Sequence, residues 1–206
     1  MSTTPEPVDV RSRILAEATR LFATRGYDGT SIEQIAQAVG IKRPTLVYHF
    51  GSKPELRDQV LASVLGHWRD ELPRLLAAAT TGSDRFKSGF LALVSFFRMD
   101  PHRARLLVRE QLDRPAEMAE LFRTQLQPLT SLVTDYLRQG QVEGRIRLQL
   151  DPEAFVVQLV SAVIASTAGL GTANLVRDPP DDERLLAELF RMVRTSLFNE
   201  RPHHDP

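Results

Sequence analysis

Residues 11–56 read RSRILAEATRLFATRGYDGTSIEQIAQAVGIKRPTLVYHFGSKPEL, and the spacing of their apolar side chains decides the fold. Ile14, Leu15, Ala18, Leu21 and Phe22 recur three and four apart, which gathers them on one stripe of a helix, and Gly26 supplies its stop signal. A second helix opens at one of two capping boxes, Thr30 with Glu33 or Ser31 with Gln34 one residue later. Ile32, Ile35, Ala36 and Val39 then face inward until Gly40, with Ile41 as a buried link. A third short helix runs from about Arg43 to Phe50. Pro44 falls in its first turn, where a missing N–H has no intrahelical partner to lose.

A short capped helix with small Ala36 in its body, a glycine turn and a second short helix form the grammar of a helix-turn-helix. Leu46 and Phe50, four apart, hold the last helix to the core and leave Arg43, Thr45, Tyr48 and His49 for its outer face, with Lys53 just beyond. Each type has a use on a duplex. Arg43 suits bidentate pairing with guanine, Thr45 a base edge or a thymine methyl, and Tyr48, His49 and Lys53 suit phosphates. Lys42 adds positive charge beside Arg43 and Pro44, while Thr30 and Ser31 sit where the second helix offers free amides and a partial positive dipole to another phosphate. Spacing alone also admits an ordinary three-helix packing unit whose tyrosine and histidine merely cap a surface.

Outward from this core the helical period continues, and no segment sustains the alternation of a half-buried strand, so the chain reads as all-α with about nine helices. Ser52 with Glu55 caps a helix through Leu56, Val60, Val64 and Trp68, which Pro73 must bend or end. Further stripes hold Phe86, Phe90, Leu93, Val94 and Phe97, then Leu106 and Leu107, then Met118 to Leu137 with an expected kink at Pro128. Residues 140–151 read as a loop, and two final helices follow, from Pro152 to about Val176 and from Asp181 to about Phe198. Ala154 to Val176 carries no charge and is long enough to cross a bilayer. Its Gln158, Ser161, Ser166, Thr167, Thr172 and Asn174 argue instead for a buried or interface helix and against a membrane partner.

Composition narrows the function classes. Lys plus Arg and Asp plus Glu number 26 each in 206 residues, so any contact with a polyanion must come from a local cluster. The absence of cysteine excludes a disulfide framework, a thiolate zinc site and a cysteine nucleophile. His67, His102, His203 and His204 lack partners at metal-ligand spacing, and no P-loop, dinucleotide fingerprint or nucleophile elbow occurs. The chain is therefore expected to hold no metal or cofactor and not to be an enzyme. The start MSTTPEPVDV lacks an apolar run of signal-peptide length, so residues 1–10 and 200–206 are expected as loose tails and the cytoplasm as the compartment.

Residues 11–56 resemble the N-terminal domain of the TetR family of transcriptional regulators, through Ile14-Leu15, Leu21-Phe22, Gly26-Tyr27, Thr30-Ser31, Ile35-Ala36, Gly40-Ile41, Thr45-Leu46, Tyr48-His49-Phe50, Lys53 and Leu56. The sequence departs from that pattern at Lys42, where the family often has a capping Ser or Thr, and at Val47, where it has an aromatic. The resemblance implies a DNA-binding domain over 11–56 and a larger helical ligand-binding and dimerisation domain over 57–199. It also implies a homodimeric repressor that leaves a double-stranded, pseudopalindromic operator when a small-molecule effector binds. Candidate pocket residues implied by the resemblance are Trp68, Phe90, Phe97, Phe122 and Leu126 with Arg109, Gln125 and Gln158 as polar anchors, although each aromatic taken singly reads more readily as plain core. For the dimer interface, Leu159, Ala162, Val163 and Ser166 pair with Leu186, Leu189, Phe190 and Val193, burial within one monomer being the alternative. Twofold symmetry then sets two recognition helices about 34 to 36 Å apart. The rival reading is a helical ligand- or partner-binding module whose three-helix domain does not read DNA.

Overall fold

In the computed structural model, which describes residues 9–78, 82–169 and 175–199, the first helix, α1 (Val10–Arg25), buries Ile14, Ala18, Leu21 and Phe22 and stops at Gly26. Gly26 has φ +80°, and a Cβ there would stand 2.8 Å from Nη1 of Arg109, so glycine lets a neighbouring helix approach the turn. The other helices are α2 (Ile32–Val39), α3 (Arg43–Phe50), α4 (Lys53–Ala78), α5 (Gly82–Met99), α6 (Pro101–Asp113), α7 (Pro115–Gln125), α8 (Gln127–Val142), α9 (Pro152–Ala168) and α10 (Asp182–Leu197). The described residues thus hold ten helices where about nine were expected.

The extra helix comes from Pro128. Instead of kinking one long helix, it sits in the first turn of α8, after a break at Leu126, where the absent N–H costs nothing. Pro73 does the reverse: α4 runs on past it to Ala78. The last pair is also shorter than expected, since α9 ends at Ala168 against the left-handed Gly169 rather than near Val176. Thr172 and Asn174 lie outside the described residues, as do residues 1–8 and 200–206 of the expected tails. Among the described residues no helix is long and apolar enough to cross a membrane.

One core joins the N-terminal helices to the rest. Ile35, Ala36, Leu46 and Phe50 continue into Leu56, Val60 and Val64 of α4, then Phe90, Phe97, Leu106, Leu107 and Met118. α1 packs on α6 as well as on α2 and α4, so the first three helices rest on the body through two separate supports. A second cluster of Leu137, Ile146, Val156 and Leu197 seats the 143–151 loop against the end of α10. There the Arg147 N–H donates to Leu197 O at 3.1 Å, and Gly140 leaves room for Ile146, whose Cδ1 would lie 2.6 Å from a Cβ.

Several sequence-derived sites move. Phe90 and Phe97 are buried core side chains, Trp68 is half-buried and edge-on to Phe96, and Gln158 points to solvent on α9, away from any interior it was expected to anchor. Arg109 lies against Gly26, Phe122 and Leu126 pack partly buried on the main core, and Gln125 accepts a hydrogen bond from Arg69. Of the expected interface, Val163 and Leu186 are buried in the chain's own core, with Leu159, Leu189 and Phe190 packed against it. Ala162, Ser166 and Val193 are half-buried. The free side of the pair instead carries Val157 (64% exposed), Gln158 and Ser161 on α9 and Met192 (58%) on α10. An apolar helix gives no phase to its own periodicity, so α9 left open which of its stripes faces the chain's own core.

Candidate nucleic-acid interface

α2 starts at the second of the two capping boxes. The Gln34 N–H donates to Ser31 Oγ at 3.1 Å, and Gln34 Oε1 accepts the Ser31 N–H at 2.8 Å. Ser31→Ala should therefore cost about 1 kcal/mol in urea denaturation, with α2 the element that frays. Thr30 has a different task from the expected phosphate contact: it is 2% exposed, and its hydroxyl donates to Gly26 O at 2.8 Å and Leu21 O at 3.3 Å. Its N–H is also taken, by Tyr27 O at 3.2 Å, so Thr30 locks the turn after α1 and has no free donor for a phosphate.

The turn into α3 closes through Gly40, φ +78°, whose left-handed conformation lets the Ile41 N–H reach Ala36 O at 2.9 Å. Lys42 is the N-cap of α3 and makes no side-chain cap, as its substitution for Ser or Thr implies. Leu46 and Phe50 are fully buried and fix the helix by its inner side. Lys42, Arg43, Pro44 and Thr45 are exposed, and Tyr48 is 85% exposed. His49 is half-buried, with its ring 5.4 Å from that of Tyr48 and 6.4 Å from that of Phe50. Holding a tyrosine almost wholly in water on a helix otherwise anchored by two buried apolar groups makes a surface shaped for a partner.

Beside it, Ser31, Glu33, Gln34, Arg43 and Lys53 line a shallow open cleft at the start of α2. Arg43 Nε lies 2.9 Å from Glu33 Oε1. The Glu33 carboxyl is held below the usual carboxylate range, first by its own backbone N–H, against an opposing effect of desolvation, then by the Ser31 hydroxyl and Arg43. Lys53, the first residue of α4, places its ammonium 4.1 Å over the ring of Tyr27, which Arg114 also faces at 4.5 Å.

That tyrosine marks what the sequence did not disclose, the join between the three-helix unit and the body. Arg57 on α4 donates from Nε and Nη2 to Glu110 Oε2 on α6 at 2.8 and 2.5 Å, and its Nη1 lies 2.8 Å from Glu117 on α7. Burial alone would lower the Arg57 pKa, but the Glu110 hydrogen bond and charge, with Glu117, outweigh it and hold it above its ordinary value. Arg114 reaches back to Asp28 at 3.1 Å. The available signal was Glu110 itself, a carboxylate on the same helical stripe as Leu106 and Leu107.

Comparison with known proteins agrees with this geometry. Residues 14–60 match the family model described as bacterial regulatory proteins, tetR family. The chain is 26% identical over 152 residues to the HTH-type transcriptional repressor KstR2 of Mycolicibacterium smegmatis, covering 72% of this chain and 73% of that one. It is 25% identical over 202 residues to the HTH-type transcriptional repressor AcnR of Corynebacterium efficiens, covering 96% and 97%. The fold matches the solved structure of the ketosteroid transcriptional regulator KstR2 of Mycobacterium tuberculosis with a TM-score of 0.75, at 19% identity over 97% of this chain and 100% of that one. With an exposed outer side on α3, a capped supporting helix α2 and a matched family model in the same segment, residues 14–60 are a DNA-binding domain of the tetR type, and the chain is a TetR-like DNA-binding transcriptional regulator.

Proposed function

We propose that the chain acts in the cytoplasm as a homodimeric repressor that holds a pseudopalindromic operator and leaves it when a small molecule binds. The observation that carries this reading is the outer side of α3, where Arg43, Thr45 and Tyr48 stand exposed while Leu46 and Phe50 are buried. Residues 11–56 form the reader and 57–199 the sensor and dimer unit in this proposal. The repressor names of KstR2 and AcnR support the sign of regulation. A chain with 26 cations and 26 anions draws DNA only through such a local surface, so two copies must act together to hold it.

Release would pass through α4, which begins at Lys53 beside the cleft and extends to Ala78 along the body. An effector seated among α4, α7 and α8, near Trp68, Phe122, Gln125 and Leu126, would shift α4 and so the spacing of the two readers. A coupling of about 1 to 3 kcal/mol lowers operator affinity roughly 5- to 150-fold, and DNA must weaken effector binding equally.

Selection of bound duplexes from random DNA tests the reading. The expected product is a twofold-symmetric site with half-sites about 10 base pairs apart, centre to centre. Arg43→Ala and Tyr48→Ala should each retain helix content and dimer mass, and Arg43→Ala should reduce discrimination between bases by roughly 5- to 150-fold. Absence of any preferred duplex over bulk competitor at low ionic strength overturns the proposal and leaves a helical ligand- or partner-binding module.

A further inference from the structure

Glu33 stands in the first turn of α2 and Arg43 opens α3, so the turn between the two helices brings opposite charges to one exposed edge. The carboxylate approaches the guanidinium most closely at its inner nitrogen: Glu33 Oε1 is 2.9 Å from Arg43 Nε, with both side chains more than half exposed. Among the described residues neither terminal nitrogen of Arg43 donates a hydrogen bond. Those two nitrogens are the fork that pairs end-on with the two acceptors of guanine. We propose that Glu33 is a positioning residue that turns Arg43 away from phosphates and toward a base edge, so that it sets how selectively the protein reads its operator. This rests on the DNA-reading role of α3.

The physical case has two parts. An exposed ion pair contributes almost nothing in water. When a groove expels that water the same attraction strengthens, provided the outward fork is satisfied. Guanine offers neutral acceptors and leaves the Glu33–Arg43 attraction intact. A phosphate brings a second anion against the carboxylate, and like charges at this range repel. The surroundings do not undo this: Asp28 and Lys53 line the same cleft, so its two cations are matched by two carboxylates. The Glu33 carboxyl, held below its usual range by its own N–H, the Ser31 hydroxyl and Arg43, remains an anion at neutral pH. Glu33 therefore opposes DNA binding in general and favours one mode of it.

The test compares wild type with Glu33→Gln, Glu33→Asp, Arg43→Ala and the Glu33→Gln/Arg43→Ala pair on the enriched duplex, on single-base variants of it and on random duplex. Glu33→Gln should bind random duplex about 3- to 10-fold more tightly at low salt. At one symmetric position of each half-site its discrimination should fall about 5- to 10-fold, with the other positions unchanged. Glu33→Asp keeps the charge and shortens the reach, so random-duplex affinity should stay low while discrimination falls. In the Arg43→Ala background Glu33→Gln should no longer affect discrimination. Circular dichroism melts confirm that each variant is folded. Should wild type discriminate and Glu33→Gln discriminate equally at every position, the positioning role is wrong and the reader stands. Should wild type itself show no preferred duplex, the DNA reading fails and this inference with it.

Discussion

Glu110→Gln is expected to lower the unfolding free energy by about 3 to 5 kcal/mol, because it strips the buried Arg57 guanidinium of its counter-charge. Glu110 is 1% and Arg57 7% exposed, so water cannot step in for the lost carboxylate. Glu117 and Asp58 remain near Arg57 Nη1, at 2.8 and 3.5 Å, but both are mostly solvated and their attraction is correspondingly screened. The diagnostic comparison is the joint replacement Arg57→Met with Glu110→Leu, which removes both desolvated charges and should cost far less than Glu110→Gln alone. Urea denaturation of the variants at neutral pH reads both. If the single substitution costs under about 1 kcal/mol, the pair does not anchor α4 to α6 and another contact holds the reader on the body.

What the sequence disclosed and what it withheld divide along the distance over which each feature is decided. α1 to α3 were legible because their signals are local: apolar spacing, a glycine stop, a capping residue, a proline in a first turn. Even there, two boxes one residue apart could not be separated, since the choice depends on Thr30 giving its hydroxyl to Leu21 O and Gly26 O across the turn. Prolines were ambiguous for the same reason. Pro73 lies within a helix and Pro128 begins one, and only the break at Leu126 distinguishes them. The Arg57–Glu110 pair joins residues 53 apart in sequence, so the local pattern that places Glu110 on a buried stripe does not announce its partner. On α3 the outward residues followed from Leu46 and Phe50 alone, whereas α9, apolar on nearly every side, hid which of Val157 and Val163 faced the core.

The same exposed side of α9 sets the second large effect. Ser161→Arg should leave the monomer's stability within about 0.5 kcal/mol, since Ser161 is exposed and makes no recorded side-chain hydrogen bond among the described residues. In the proposed dimer, however, Ser161 lies in a strip with Val157 and half-buried Ala162 and Ala165, small enough for a second helix to approach closely. A long cation there blocks that approach and buries an unpaired charge. Dimer mass in analytical ultracentrifugation should then collapse to monomer mass. Operator affinity should fall with it, by at least about a thousandfold, from the range of specific complexes toward that of non-specific ones. The loss is this large because one α3 helix, only eight residues long, touches too few bases to discriminate by itself, and the balanced charge of the chain gives no general attraction to compensate. Ala116→Arg, on the exposed surface of α7, supplies the control and should change neither mass nor affinity. A Ser161→Arg protein that remains dimeric with unimpaired operator binding would move the subunit contact off this side of α9, and the spacing of the two readers would have to be set by other helices.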